Sequence, residues 1–135
     1  MGTPQQRPLE LILARNLLSN LATPAALTNE PGDIVFYNAA AGEFLGRPFE
    51  ETGPVPAEAW VEDYGPLGED GEPVPIDRER LAQTLRSSQA GHERYRIRTL
   101  DGTEHEIEVS GVPVIGPDGY HGAMIFFWAP RERGV

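Results

Sequence analysis

Apolar residues recur at every fourth position from Leu9 to Leu21, at Leu9, Leu13, Leu17 and Leu21. Leu11, Ile12 and Leu18 widen that stripe, and the spacing predicts a helix of about three turns. The pattern then changes. Ala25 to Asn29 reads as a short strand, Pro31-Gly32 as a turn, and Ile34 to Tyr37 as a β-branched and aromatic strand. Asn38 stands where a helix N-cap belongs, a role that Asp fills nearly as well. Three alanines follow, Phe44 and Leu45 supply an apolar face, and Gly46 offers a left-handed stop. A strand that runs into a capped helix without a loop fixes that helix against the end of a sheet. This arrangement makes one wall of a cavity.

From Phe49 to Pro75 prolines and glycines break every long period, although Ala57 to Tyr64 has room for a helical turn or two. Asp77 caps a predicted helix with Leu81, Ala82 and Leu85 on its face and Gly91 at its end. Arg78, Glu79, Arg80 and Arg86 make its solvated side, as in an amphipathic helix laid on a sheet.

Three strands complete the chain, and their register follows from alternation. Tyr95 and Ile97 alternate with Arg94, Arg96 and Arg98, and Ile107 and Val109 alternate with Glu104, Glu106 and Glu108. A three-residue loop, Leu100-Asp101-Gly102, sets Tyr95 opposite Ile107 and pairs Arg94 with Glu108, Arg96 with Glu106 and Arg98 with Glu104. It also predicts a left-handed Gly102. Gly116-Pro117-Asp118-Gly119 as a four-residue loop places Met124 opposite Gly111, Phe126 opposite Val109 and Trp128 opposite Ile107. That register predicts a cavity-facing surface of Tyr95, Ile97, Ile107, Val109, Met124, Phe126 and Trp128. Ala123, Ile125 and Phe127 then point the other way, and a strand apolar on both faces needs cover on both. The Leu9–Leu21 helix, from the same chain or from a partner, is the cover expected for that second face.

Residues 24–46 resemble the PAS sensory domains. The pattern is a strand, a turn ending in Gly32, a second strand, and then Asn38-x-Ala40-Ala41-x-x-Phe44-Leu45-Gly46. Asp70-Gly71-Glu72-Pro73, Leu81, Leu85, Gly91, Asp101-Gly102 and Pro113 through Gly119 continue the likeness over roughly residues 20–129. The resemblance implies an α+β fold: a five-stranded antiparallel sheet with short helices on one face and an N-terminal helix on the other. It divides the chain into an N-terminal capping or dimerisation helix (1–22), a PAS-like domain (23–130) and a short tail (131–135). It also implies a sensory or regulatory module. The expectation is a small ligand bound in an apolar cavity, homodimerisation, or both; the alternative is a pure dimerisation or docking module with a filled core and no ligand, and, less favoured, a small-molecule enzyme.

The expected ligand-facing set is Phe36, Phe44, Leu81, Leu85, Tyr95, Ile97, Ile107, Val109, Met124, Phe126 and Trp128. The expected dimer face is Leu9, Leu13, Leu17 and Leu21 with Ile125 and Phe127. Such modules often end their last strand in an Asp-hydrophobic-Thr segment, whereas this sequence reads Trp128-Ala129-Pro130-Arg131, and proline opposes helix continuation. The sequence leaves open whether an effector follows or the domain acts alone on a partner.

Composition narrows these readings. A chain of 135 residues suits one domain. Lys+Arg of 11 against Asp+Glu of 21 gives a net charge of −10, which disfavours nucleic acid and anionic lipid as partners. No apolar run approaches the length of a membrane span, no secretory signal is evident, and cytoplasm is the expectation. Cysteine is absent, so thiolate chemistry, disulfides and the cysteine-linked chromophores of some PAS relatives are excluded. Some PAS relatives ligate heme through a histidine of the long helix, and the stretch from Asp77 to Ala90 holds none.

The three histidines fall apart in the register, His105 beside Ile97, His92 beside Ser110 and His121 beside Val114, so a shared metal is not expected. No nucleophile elbow, phosphate loop or dinucleotide fingerprint occurs, and no catalytic residue is assigned. Glu58, at the start of a lid segment, is the acid that would matter if there were one. Neither the residues nor the resemblance names a cofactor.

Overall fold

Five strands form one sheet in the order β2-β1-β5-β4-β3, with each neighbouring pair antiparallel. The computed structural model describes residues 9–68, 70–72 and 91–130. In chain order the elements are α1 (Leu9–Ser19), β1 (Ala25–Asn29), β2 (Ile34–Tyr37), α2 (Ala39–Leu45), α3 (Phe49–Thr52), α4 (Ala57–Tyr64), β3 (Gly91–Arg98), β4 (Glu104–Gly116) and β5 (Gly119–Trp128). The helix expected from Asp77, with Leu81 and Leu85, lies outside the described residues.

Local chemistry explains the joints. At the β1–β2 turn Gly32 takes φ 97, and the Asp33 N–H donates to Asn29 Oδ1 at 2.9 Å. The other face of Asp33 looks to α4, where its Oδ1 accepts from the Ala57 N–H at 2.9 Å and so caps that helix from a distant turn. Gly46 ends α2 in the left-handed conformation, φ 102, and its N–H donates to the Gly42 carbonyl. The Leu100 N–H then reaches the Leu45 carbonyl at 3.2 Å, tying the end of α2 to the β3–β4 turn.

The β3–β4 hairpin has the register that alternation predicts. Tyr95 faces Ile107, Arg94 faces Glu108, Arg96 faces Glu106 and Arg98 faces Glu104. Gly102 is left-handed at φ 85, and the Gly102 N–H closes the turn on the Thr99 carbonyl at 2.9 Å. Asp101 stiffens the loop by accepting from Thr99 Oγ1 at 2.6 Å and the Thr103 N–H at 3.0 Å, bonds that hold its carboxyl below the usual range. The closest ion pair of the ladder is diagonal, Arg94 to Glu106 at 3.2 Å, with Arg98 to Glu104 at 3.3 Å. Such exposed pairs fix register more than they add stability.

The β4–β5 hairpin departs from expectation. At the turn the register agrees, with Gly116 facing Gly119 and Ile115 facing Tyr120. A bulge then leaves His121 over, and from Val114↔Gly122 onward every pair is displaced by one. Met124 therefore faces Val112, Phe126 faces Ser110 and Trp128 faces Glu108. A one-residue slip exchanges the two faces of a strand. Ile125 and Phe127, expected on the side of the N-terminal helix, lie on the opposite face, and Met124 and Phe126 take their place.

The stripe on α1 is corrected as well. Its buried residues are Leu11, Ala14 and Leu18, spaced i, i+3, i+7, while Leu9, Leu13 and Leu17 are 63%, 57% and 52% exposed. Both stripes are apolar at helical spacing, so periodicity alone does not choose between them. Packing does, because Ala14 is small enough to bring α1 close to the sheet. One core lies there, with Leu11, Ala14 and Leu18 against Ala25, Leu27 and Val114. Phe36 is also in it, and Leu21, Met124 and Phe126 pack at its margin. The second core lies on the other face, joining Ile97, Ile107 and Phe127 to Ala41 and Leu45 of α2.

Two glycines test this geometry. Gly102 has open space where a Cβ would be, so Gly102→Val meets only the conformational penalty of a left-handed residue, about 1–2 kcal/mol in urea unfolding. Gly122, at φ 154, has the Thr28 carbonyl where a Cβ would stand, so Gly122→Ala must part β1 from β5. Its expected cost is roughly 3 kcal/mol. A midpoint equal to the parent's for Gly122→Ala would mean that the bulge is wrongly placed.

Candidate functional site

The face of the sheet opposite α1 carries the candidate wall. Ile97 and Ile107 are buried there with Phe127, and Tyr95, Val109 and Phe44 pack at the margin. The Phe44 ring stands edge-on to Phe127 at 5.7 Å and lies 5.1 Å from the His105 ring, so α2 is seated on β4 and β5 through one aromatic side chain. Five of the expected wall residues thus come together: Phe44, Tyr95, Ile97, Ile107 and Val109. Phe36, Met124 and Phe126 do not join them, since all three pack beneath α1. Trp128 faces Glu108 and shares the α1 side with Phe126. Leu81 and Leu85 lie outside the described residues.

The expected dimer face divides in the same way. Leu9, Leu13 and Leu17 are exposed, Leu21 is partly buried against the α1 core, Phe127 belongs to the wall, and Ile125 packs near Ala57 and Ala123.

Trp60 and Tyr64 of α4 also border the wall and were not anticipated individually. Their signal was present in the spacing Ala57, Trp60, Tyr64, which is i, i+3, i+7. The indole N–H of Trp60 donates to the Gly32 carbonyl at 3.1 Å, holding α4 to the β1–β2 turn. Burial, then the nearby Tyr37 and Asp63, push the Tyr64 phenol above its ordinary range. At neutral pH it is therefore a neutral O–H donor at the edge of an apolar surface.

Two clefts open beside these elements. One of about 640 Å³ lies at the β2 edge between the end of α1, α2 and α3, with Phe36, Gly42, Arg47 and Phe49 in its lining. It is outside the wall. The other, about 300 Å³, touches the wall at Tyr95 and is otherwise bounded by Leu67, Gly68, Arg94, Arg96 and Glu106. Among the described residues no group of His, Asp and Glu could hold a metal ion. His121 instead meets Asp118 at 2.7 Å and Glu10 of α1 at 3.6 Å.

Asn38 does more than cap. Its Oδ1 accepts from the N–H groups of Ala41 at 3.0 Å and Ala25 at 3.1 Å. Its Nδ2 donates to the carbonyls of Leu18 at 3.0 Å and Thr23 at 2.9 Å, with Leu21 at 3.4 Å. One side chain, 2% exposed, thereby joins the end of α1, the start of β1 and the start of α2.

Comparison with known proteins places this geometry. The sequence model described as the PAS fold matches residues 13–128. No curated protein matches the chain. Among solved structures, the PAS domain of an HTR-like protein from Haloarcula marismortui superposes with a TM-score of 0.60 at 15% identity, covering 88% of this chain and 90% of that one. The PAS domain of Bordetella pertussis BvgS gives 0.59 at 13% identity, covering 92% and 88%. The Rhodobacter sphaeroides LOV protein gives 0.67 at 12% identity, covering 93% and 70%. At these identities the likeness is one of fold. Among the described residues no helix is long and apolar enough to cross a membrane.

The Asn38 contacts revise what substitution should do. Asn38→Asp keeps the cap but turns a carboxylate toward three carbonyls, so it should cost at least as much as Asn38→Ala, about 2 kcal/mol or more. Urea unfolding of the three proteins measures this. An aspartate variant as stable as the parent would show that Asn38 acts as a cap alone.

Proposed function

Because the chain belongs to the PAS fold family, with residues 13–128 matched, we propose that it is a sensory or regulatory module whose output element is α1. In this reading two copies pair through the outer face of α1, and a small apolar molecule held at the wall is the input. The observation that carries it is that α1 is apolar on two opposite sides. Leu11, Ala14 and Leu18 bury one side, while Leu9, Ile12, Leu13 and Leu17 leave the other in water. The exposed residues Leu9, Ile12, Leu13, Asn16, Leu17 and Ser19 include no charge. The two charged residues of α1 turn away from that side, Glu10 toward His121 and Arg15 over the Phe36 ring at 4.6 Å. In a chain of net charge −10, an uncharged apolar stripe has the composition of an interface core, where charge is depleted.

For the input, the support is the apolar wall with a neutral phenol at its edge. Tyr64 would donate to an acceptor on the ligand while Tyr95, Ile97, Ile107 and Val109 cover its apolar body. The second reading, a docking module with a filled core, is favoured by the Phe44 ring already seated on Phe127. The reading assigns no catalysis, no nucleic acid and no cofactor.

Light scattering over a concentration series tests the pairing. The parent chain should be a dimer, and Leu13→Asp with Leu17→Asp a folded monomer, because both side chains are solvent-facing in the single subunit. A parent that stays monomeric at high concentration overturns the pairing. Native mass spectrometry of protein purified without added ligand separates the two readings of the wall. A mass surplus of one small molecule per subunit is expected. The bare polypeptide mass would favour the filled-core module.

A further inference from the structure

We infer that Asn38 is the positioning residue that couples the wall to α1, by making the last turn of α1 and the first turn of α2 open and close as one unit. The inference deepens the proposed function and rests on its reading of α1 as the output.

α2 is a seven-residue helix held at three points. Its Phe44 ring sits on Phe127 and His105, and Ala41 and Leu45 are buried in the same core. Its C-terminal carbonyl at Leu45 accepts from Leu100 in the β3–β4 turn. Its N-terminus is held by Asn38. A change at the wall therefore acts on α2 as a short rigid body, since the core offers it few intermediate positions.

The link from the start of α2 to the end of α1 is the Asn38 amide. Its oxygen holds the α2 side at Ala41, and its nitrogen holds α1 at Leu18 and the following segment at Leu21 and Thr23. The amide is planar and buried, so the two halves cannot rotate independently. Moving α2 with its Asn38 cap away from Ala25 carries the amide nitrogen away from the Leu18, Leu21 and Thr23 carbonyls, and of these Leu18 keeps its bond from the Leu21 N–H. The Asn38 amide is 2% exposed, and a buried N–H group left without its acceptors is costly, so the two helix ends share one equilibrium. The other end of α1 is held without such a hydrogen-bonded tie, by the buried Leu11 and the partly exposed Glu10–His121 contact at 3.6 Å. α1 is thus fixed firmly at the end that meets α2.

Native-state hydrogen exchange of the full parent chain tests this, read at a protein concentration where association is absent. The amides of Leu17 and Leu18 and those of Ala41 and Gly42 should open with one equilibrium constant and one denaturant dependence. Separate openings would overturn the coupling. Asn38→Ser gives the second arm, because its hydroxyl can cap α2 but cannot donate to two carbonyls. Relative to β5 amides, exchange at Leu17 and Leu18 should rise about tenfold, with Ala41 and Gly42 changing less than about threefold. An equal rise in both sets would make Asn38 structural only.

Phe44→Leu, which weakens the seat on the wall, should raise exchange at Leu17 and Leu18 in the parent and not in the Asn38→Ser background. The same rise in both backgrounds overturns the proposal. If Asn38→Ser fails to fold, the parent measurement decides alone. A monomeric parent with joint opening would sink the pairing and leave the coupling standing.

Discussion

β5 lies between β1 and β4 and is apolar on both sides, and the rest of the molecule is arranged to cover it. Ala123, Ile125 and Phe127 face α2 and α4, and Met124 and Phe126 face α1. A central strand of this kind cannot leave either face in water without exposing a contiguous apolar surface. Hence the N-terminal helix is part of the fold rather than an appendage. Its last turn must be brought back over the sheet, and the segment from Leu21 to Pro24 is short enough to require a fixed anchor. Asn38 provides that anchor at the one point where α1, β1 and α2 converge.

What the sequence disclosed depended on how local the determining contact is. The β3–β4 hairpin is legible because its three-residue loop and its alternating arginines and glutamates all demand the same register. The β4–β5 hairpin is legible at its turn and lost two residues past Gly119, where His121 bulges out. Nothing in Tyr120-His121-Gly122 distinguishes a bulge from two more paired residues. The reason lies across the sheet, in the approach of the Thr28 backbone to Gly122, where only glycine fits. That single residue moved Met124, Phe126 and Trp128 off the wall and put Phe127 on it. The choice between the two stripes of α1 was hidden for a similar reason. Both have helical spacing, and the selecting contact joins Ala14 to strands that follow in the chain.

The cap at Asn38 shows the same division within one side chain. Its acceptor half was readable, because Ala41 is three residues away and N-caps follow a local rule. Its donor half was not, because Leu18 and Thr23 lie 20 and 15 residues upstream. The unread half decides the chemistry. With only the acceptor in use, asparagine and aspartate are near equivalents. With the amide nitrogen donating to carbonyls, a carboxylate at the same place would keep the N–H donors at one oxygen but turn its other oxygen toward electron-rich carbonyls, and only the neutral amide satisfies donors and acceptors together.

Electrostatics then bears on how such a module could pair. Two copies of net charge −10 repel at long range, but at physiological ionic strength that repulsion decays over about 8 Å. What remains is decided within the contact. Had Glu10 or Arg15 pointed outward, pairing two α1 helices would have required desolvating charge. Instead Glu10 lies 3.6 Å from His121, and the Arg15 guanidinium stands near the Phe36 and Phe49 rings, at 4.6 and 5.9 Å from the centroids. The contacts that secure α1 to its own sheet are thus also the ones that clear charge from its outer face. A change that loosens α1 would expose Leu11 and Leu18 and release Glu10 and Arg15 from these contacts. In the proposed pairing, association would thus be coupled to the integrity of the module's own core without any contact between the wall and the partner.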